Sequence, residues 1–259
     1  MTEMAKTRYL PGNPQTSARV LFFGRSGCEF TQKALAHLLM IGFEVTFVES
    51  KNRGDTLPEE ISSWDGEYIL SFRSLLILSG DLIAKASIAS INFHPAPVEY
   101  PGSACLNFAL YDNAEDYGVT AHIMNEKVDN GTIIECRRFP IVPNDTVDSL
   151  LLRTHLKLLD LFFDVVTNLF FGGRRSLDLK IQLSSGEKWL GEARKIKDLE
   201  NLQSIAVHAT KEELEKVIRA TYTKDYPPMV ELHGYEFLLK SPKAKSSQEL
   251  SASPQSPQV

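Results

Sequence analysis

Short apolar runs alternate with amphipathic stretches along the first two thirds of the chain. This pattern predicts strands and helices that follow one another. Ala18–Phe23 predicts a strand, Glu29–Ile41 a helix that ends at Gly42, and Glu44–Glu49 a second strand. Strand, glycine turn, helix and strand form a βαβ unit, whose strands are parallel. The pattern therefore predicts an α/β fold with a mostly parallel sheet.

The same pattern continues through the middle of the chain. A long helix is predicted over Val147–Phe171, because its apolar residues recur at helical spacing. Asp145 or Thr146 can cap its start, and Gly172–Gly173 is expected to end it. Further strands are predicted over Glu67–Phe72, Ile88–Ile91, Gly118–Met124 and Glu135–Ile141, and short helices over Thr56–Ser63, Asp81–Ala86 and Ser103–Tyr111.

The apolar pieces become shorter after Leu179, where a helix at Lys211–Arg219 and a late hairpin are predicted. This change suggests four regions. Residues 1–17 form an N-terminal extension, 18–178 the main domain, 179–240 a small C-terminal α+β region, and 241–259 a Ser/Pro/Gln-rich tail that is predicted to be disordered.

Composition narrows the function classes. The net charge of −5 and the pI of about 5.7 disfavour a nucleic-acid partner, which would need a basic surface. The three cysteines show no metal-ligand spacing and fit a reduced, cytoplasmic protein. We also expect no signal peptide, since the first residues contain no apolar core, and no membrane span, since charged residues interrupt the apolar stretch Leu150–Phe171.

Gly24 and Gly27 follow the first strand and allow two interpretations. They can cradle a phosphate at the start of the next helix, or they can form a plain tight turn, which is the more common outcome. The third glycine of the dinucleotide fingerprint is missing, because Glu29 and Phe30 occupy its place.

Candidate chemistry lies at the end of the central predicted strand, Ile88–Ile91. Asn92 and His94 follow it, and residues two apart on an extended chain point to the same face. Asp129 lies in a tight Asn-Gly turn after the strand Gly118–Met124. Ligands of open α/β sheets bind beyond the carboxyl ends of the strands, so an amide, an imidazole and a carboxylate can converge there.

The stretch around these residues resembles the catalytic core of the N10-formyltetrahydrofolate-dependent formyltransferases. That family carries Asn-x-His-Pro, a glycine turn, Gly-Val-Thr-x-His-x-Met and Asp-x-Gly-x-Ile in this order. The matching segments here are Asn92–Pro95, Tyr100–Gly102, Gly118–Met124 and Asp129–Ile133. The resemblance implies a Rossmann-like domain, no metal, and a homodimer. It is strongest to the nucleotide-sugar N-formyltransferases, whose pattern continues in residues 193–200 and 218–237.

The resemblance also implies binding residues. The formyl donor is expected to bind the loop after the third strand and the turn before Asp129, through Phe72, Arg73, Leu75, Ile77, Asn125 and Val128. Alternatively, Leu75–Leu78 simply pack in the core, and the family's usual proline is replaced by Ser79. The acceptor is expected to contact Pro95, Tyr100 and Gly102.

The chemistry explains why the three polar residues are needed. Asn92 can donate a hydrogen bond to the oxyanion that forms at the formyl carbon, and His94 can do the same or relay a proton. Asp129 can orient His94, favour its charged form and help to remove the proton of the amine. No protein nucleophile is required, so Cys105 is not expected to pair with His94. His122 is expected to be a structural hydrogen-bonding residue.

The acceptor is expected to be a nucleotide-linked 4-amino-dideoxy sugar, closest to GDP-perosamine of O-antigen and lipopolysaccharide synthesis. Glycinamide ribonucleotide and methionyl-tRNA are alternative acceptors. A formyltetrahydrofolate hydrolase and a folate- or nucleotide-binding module without catalysis also stay open.

Overall fold

The computed structural model describes residues 3–11 and 18–240. Its main sheet contains the strands β1 (Lys6–Leu10), β2 (Arg19–Arg25), β3 (Glu44–Ser50), β4 (Gly66–Phe72), β5 (Ala86–His94), β6 (Asp116–Ile123) and β7 (Ile133–Pro140). Their order in the sheet is β1-β3-β2-β4-β5-β6-β7. The predicted tail, residues 241–259, lies outside the described residues.

The four central strands, β3, β2, β4 and β5, are parallel, and antiparallel strands flank them on both sides. This arrangement confirms the predicted α/β class and the Rossmann-like sheet. The sequence pattern missed β1, which lies within the predicted N-terminal extension and pairs with β3. Its residues are mostly exposed at the sheet edge, so they carry little of the apolar signal that marks a strand.

The helices are α1 (Glu29–Ile41), α2 (Gly80–Ile83), α3 (Cys105–Tyr111), α4 (Val147–Leu183), α5 (Ile196–Gln203) and α6 (Lys211–Thr221), with a 3-10 helix at Glu59–Ser63. A second sheet of β8 (Ser204–Ile205), β9 (Met229–Leu232) and β10 (Tyr235–Leu238) has the order β10-β9-β8. The predicted late hairpin is confirmed by the antiparallel pairing of β9 and β10.

Helix α4 begins as predicted, with the Thr146 side chain accepting from the backbone of Ser149. Its end differs from the prediction. Gly173 leaves the helical region at φ 51° and ψ −140°, but the helix resumes at once and continues to Leu183. A glycine tolerates positive φ without the steric cost of a Cβ, so the pair makes a sharp bend instead of an end. The predicted domain border at residues 178–179 falls within the resumed helix.

Phe162 anchors α4 to the sheet. Its side chain is fully buried, and its ring centroid lies 5.7 Å from that of Phe22, 5.1 Å from that of Phe72 and 4.7 Å from that of Phe93. These partners belong to β2, β4 and β5, the strands whose carboxyl ends point toward the candidate site. The aromatic cluster therefore fixes the strands that carry the site.

We predict that Phe162→Ala lowers the free energy of unfolding by about 3–5 kcal/mol, because it leaves a cavity among three aromatic rings. Urea denaturation followed by circular dichroism measures this loss. Phe171→Ala on the same helix is the matched control, since that side chain is 78% exposed and should cost far less. Equal losses in the two variants would contradict the anchoring role.

Candidate active site

Strand β5 carries both Asn92 and His94. The prediction ended this strand at Ile91, but pairing with β6 extends it: Asn92 lies opposite His122, and His94 lies opposite Thr120. The two side chains lie on the same face, as their spacing predicts. Their position within a paired strand fixes their backbone more firmly than a loop would.

Asp129 reaches the same place from the turn between β6 and β7. Its backbone is left-handed, with φ 43°, which Asp tolerates better than most residues. Gly131 is required two positions later, because a Cβ there would lie 1.7 Å from the carbonyl oxygen of Ile123. The predicted Asp-Asn-Gly turn is therefore shaped so that the carboxylate points back into the site.

His94 is buried between two acceptors. Its Nδ1 lies 3.2 Å from Oδ2 of Asp129, and its Nε2 lies 2.9 Å from the carbonyl oxygen of Tyr100. Both hydrogen bonds form only when each ring nitrogen carries a hydrogen. The geometry thus fits the positively charged imidazolium.

Asp129 is the hub of the site. Its Oδ2 also accepts a hydrogen bond of 2.8 Å from the backbone amide of Gly102, and its Oδ1 accepts one of 3.3 Å from Nδ2 of Asn92. Burial by itself raises the pKa of this carboxyl group. The charge of His94 and the hydrogen bond from His122 outweigh that effect and hold the pKa at about 2.

The low pKa changes the role expected for Asp129. A carboxylate with a pKa of about 2 is a weak base near neutral pH. The geometry therefore favours orientation and charge stabilisation of His94 over the predicted removal of a proton from an amine.

His122 belongs to the same cluster, although the sequence pattern predicted only a structural role. Its Nδ1 lies 2.9 Å from the carbonyl oxygen of Ile123, within hydrogen-bond distance. Its Nε2 lies 3.1 Å from Nδ2 of Asn92 and 3.3 Å from Oδ1 of Asp129. The ring thus orients the amide of Asn92. The family motif Thr-x-His-x-Met was the sequence signal that could have included it.

Cys105 lies beside His94, with its Sγ 3.7 Å from Nε2 of that ring. Burial and the nearby charge of Asp129 raise the pKa of this thiol well above its ordinary value. The thiol donates a hydrogen bond of 3.2 Å to the carbonyl oxygen of Gly102. It is therefore a neutral packing group, as the absence of a required nucleophile predicted.

A cavity of about 770 Å³ opens beside this cluster. Asn92, His94 and Asp129 all line it. Among the predicted binding residues, Arg73, Leu75, Ile77, Asn125, Val128, Pro95 and Gly102 also line it. Phe72 does not, since its side chain is fully buried in the aromatic cluster under the sheet face. The ring of Tyr100 also lies outside the lining, and the residue contributes its carbonyl oxygen to His94.

A smaller cavity of about 340 Å³ adjoins the first at Arg73, which lines both. Its other walls, where β2 ends and α1 begins, are formed by Arg25, Ser26, Gly27, Cys28, Glu29 and Phe30. The guanidinium of Arg73 donates to Sγ of Cys28 at 3.1 Å. No side-chain hydrogen bond meets the criteria for a cap at the start of α1, but the Cys28 thiol lies close to the backbone amides of Phe30 and Thr31 and interacts with them.

His155 on α4 lines the main cavity. Burial, followed by the charges of Arg73 and Arg25, lowers the pKa of His155 to about 3, so its ring is neutral. The sequence pattern assigned no role to this residue, because a single histidine on a long apolar helix carries no motif.

The C-terminal region contacts the catalytic cluster, by which we mean Asn92, His94, His122 and Asp129, and the turns beside it. The indole Nε1 of Trp189 donates a hydrogen bond of 2.8 Å to the carbonyl oxygen of Gly131. Arg194 pairs with Gly102 in an isolated β-bridge, and its guanidinium lies over the ring of Phe108. The sequence pattern predicted a separate small region here and missed these contacts.

Within residues 3–11 and 18–240, we find no cluster of three or more acidic, histidine or cysteine side chains that could hold a metal ion. No helix of this part is long and apolar enough to cross a membrane.

Comparison with known proteins places this site in a family context. Residues 28–166 match the family model described as formyl transferase. A phosphoribosylglycinamide formyltransferase of Dictyostelium discoideum is 40% identical over 76 residues, which are 27% of this chain and 37% of that protein. A methionyl-tRNA formyltransferase of Listeria monocytogenes is 27% identical over 123 residues, which are 47% of this chain and 39% of that protein. The chain thus spans about two fifths of these relatives.

Solved structures share the fold over most of the chain. A sugar N-formyltransferase from a Shewanella species has a TM-score of 0.64 at 20% identity, covering 86% of this chain and 97% of that chain. An N-formyltransferase from Helicobacter canadensis was solved with folinic acid and dTDP-3-aminofucose. It has a TM-score of 0.62 at 17% identity, and the match covers 84% of this chain and 85% of that chain.

The depressed pKa of Asp129 predicts a pH dependence of stability. The ordinary value of this group is 3.8, so its ionised form contributes fully above about pH 4 and the contribution is lost as the pH falls toward 2. Asp129→Asn should lower the free energy of unfolding at pH 7 by about 2 kcal/mol. Urea denaturation at several pH values should show the difference from wild type shrinking between pH 4 and 2. A difference that stays constant over this range would contradict the assignment.

Proposed function

Because the chain belongs to the formyl transferase family, we propose that it moves a formyl group from N10-formyltetrahydrofolate to the amino group of a nucleotide-linked sugar. One observation carries this proposal. Asp129 joins Asn92 and His94 by hydrogen bonds in the wall of a cavity of about 770 Å³, a size typical of small-molecule sites.

The donor is proposed to bind where the loop after β4 faces the turn before Asp129. Leu75 and Leu76 supply apolar walls there, and Ile77 and Val128 are exposed by 81% and 49% at the rim. A planar pterin would cover this apolar surface and could hydrogen bond to the loop backbone. Folinic acid in the Helicobacter canadensis structure supports a folate as the donor.

The acceptor amine is proposed to attack the formyl carbon as the neutral base. Asn92 donates a hydrogen bond to the carbonyl oxygen as it becomes negative, and the nearby charge of His94 stabilises the same oxygen. The new bond joins the amine nitrogen to the formyl carbon, and the bond from that carbon to N10 breaks. Asp129 stays ionised throughout and orients His94 through its Nδ1.

His94 is also proposed to balance the protons. Its Nε2–H, which bonds to the carbonyl of Tyr100 in this structure, is transferred to N10 as the donor leaves. The neutral ring then takes the proton released by the attacking amine. The products are a formamide and tetrahydrofolate, and the imidazolium is restored.

The acceptor is proposed to place its diphosphate in the smaller cavity. Arg25 and Arg73 supply positive charge there, and the one carboxylate in the lining, Glu29, is paired with Lys33. This arrangement favours the phosphate-cradle interpretation of the glycine turn over the plain turn. A chain of net charge −5 can bind a nucleotide through such a local site without the basic surface that tRNA requires.

Two solved structures support a sugar acceptor, because the sugar N-formyltransferase from Shewanella and the N-formyltransferase from Helicobacter canadensis share the fold over 86% and 84% of this chain. We propose GDP-perosamine or a related 4-amino-dideoxy sugar nucleotide of O-antigen synthesis as the acceptor. The same proposal includes a cytoplasmic location and a homodimer.

We predict that a 4-amino sugar nucleotide is formylated faster than glycinamide ribonucleotide, methionyl-tRNA or the free amino sugar. The remote nucleotide supplies binding energy that positions the reacting amine. The measurement is a competition assay with formyltetrahydrofolate, in which the products are separated by mass. GDP-linked and dTDP-linked sugars are tested in parallel, because the base is the least constrained part of the proposal.

His94→Asn is the inactive control and should lower kcat by about 10²–10³. His208→Asn, an exposed histidine outside the cavity, should behave as wild type. Preferred formylation of glycinamide ribonucleotide or methionyl-tRNA would replace the sugar acceptor. Hydrolysis of the donor with every acceptor left unchanged would favour the hydrolase, and no reaction at all would favour a binding module.

The diphosphate site gives a separate prediction. Arg25→Gln should raise the KM of the sugar nucleotide about tenfold, since it removes a charge-assisted contact, and should leave the KM of the formyl donor unchanged. Lys157→Gln is the matched control, because this lysine on α4 is exposed and lines neither cavity. An unchanged KM in Arg25→Gln would place the diphosphate elsewhere.

A further inference from the structure

Trp189 touches three parts of the catalytic cluster. Its ring centroid lies 5.0 Å from that of His122 and 5.7 Å from that of His94, and both pairs are edge to face. Its Nε1–H bonds to the carbonyl oxygen of Gly131, in the turn that presents Asp129. No other aromatic ring in the described part of the chain lies against both histidines.

The segment that carries Trp189 is fixed on both sides. Arg138 on β7 makes two hydrogen bonds, of 2.7 and 2.8 Å, to the carboxylate of Glu187. The backbone amide of Leu190 donates a hydrogen bond of 2.9 Å to the carbonyl oxygen of Val98. The backbone amide of Arg194 donates one of 3.1 Å to the carbonyl oxygen of Pro101. These bonds tie residues 187–194 to the main domain beside the site, so the position of the indole is defined by the fold.

We infer that Trp189 is a positioning residue for the proposed formyl transfer, and that the C-terminal region supplies it. This inference rests on the proposed function. The indole holds the imidazole rings of His94 and His122 at fixed angles, and its hydrogen bond holds the turn on which Asp129 is mounted. It lies behind the cluster and does not line the cavity, so it acts through these residues and not on the substrate.

The geometry explains why such a support is needed. Asp129 has a left-handed backbone, and its carboxylate must serve His94, Asn92 and the amide of Gly102 together. A displacement of about 1 Å in a catalytic group can lower the rate about a hundredfold. The indole fills the space behind the rings, which would otherwise admit water and allow the imidazoles to rotate.

The test compares two variants of Trp189 with a control at Trp64, the only other tryptophan of the chain. Trp189→Ala should lower kcat about ten- to a hundredfold, with the KM values of both substrates little changed. Trp189→Phe keeps an aromatic ring against the histidines and should recover most of this loss. Trp64→Phe is the matched control, since Trp64 packs beside Gly66 at the opposite end of β4, and it should leave kcat unchanged.

Melting temperatures separate positioning from folding. If Trp189→Ala does not fold, Trp189→Leu serves in its place, because it keeps apolar volume and loses both the ring and the donor. A folded Ala or Leu variant with wild-type kcat would overturn the inference. The inference would also be overturned if Trp189→Phe lost as much kcat as Trp189→Leu while both variants kept the melting temperature of the wild type. The aromatic contacts would then make no difference to the rate.

A double-mutant cycle shows whether Trp189 acts through the Asp129 turn. In the Asp129→Asn background the substitution Trp189→Ala should lower the residual kcat by less than about twofold, because coupled residues give non-additive effects. Fully additive losses would mean that the indole acts independently of this carboxylate and would overturn the mechanism inferred.

A fluorescence measurement tests the contact without requiring any formyl transfer. In Trp64→Phe protein the emission comes from Trp189 alone. Removal of an adjacent imidazole by His122→Asn should raise this emission, since imidazoles quench indoles, whereas His208→Asn should not change it. If the wild type formylates no acceptor, the proposed function fails, and an emission change confined to His122→Asn still supports the contact. An emission that is the same in both variants overturns it.

Discussion

The buried carboxylate of Asp129 is the interaction on which the site depends. It accepts hydrogen bonds from Asn92 and from the amide of Gly102, and it pairs with His94. These donors come from β5 and from the glycine turn that follows it, so one charge joins segments that are far apart in sequence. A buried charge of this kind is tolerated only when it is fully paired. The low pKa of Asp129 shows that the pairing outweighs burial.

This constraint makes the site a product of the whole fold. The central strands place Asn92 and His94, and the aromatic cluster around Phe162 holds those strands in register. The turn with Gly131 mounts the carboxylate, and Trp189 from the C-terminal region backs both the turn and the histidines. The region predicted as a small appendage is thus structurally continuous with the catalytic cluster.

The two cavities beside the cluster differ in the chemistry of their walls. The loop Leu75–Leu78 is apolar and partly exposed, which suits a flat heteroaromatic ring. Arg25 and Arg73 line the smaller cavity, where β2 and β4 end, and their positive charge suits an anionic group. Asn92 and His94 line the main cavity, which shares Arg73 with the smaller one. Both cavities follow the rule that ligands of parallel sheets bind beyond the strands' carboxyl ends.

The sequence by itself determined the α/β class, helix α1 to its end residues, and the convergence of Asn92, His94 and Asp129. These features depend on local periodicity, on a βαβ unit and on an ordered set of motifs, all of which can be read along the chain. It also placed a turn at Asp129, because Asn-Gly has strong local preferences.

Only the tertiary structure decided the rest. The exposed edge strand β1 and the bend at Gly173 carry weak or ambiguous local signals, since pairing and packing select between the possible outcomes. The charge states of Asp129 and His155 depend on burial and on neighbours that are distant in sequence. The role of Trp189 depends on a contact across 58 residues to Gly131, which no local pattern can report. Local preferences fix elements, whereas long-range packing fixes which side chains meet.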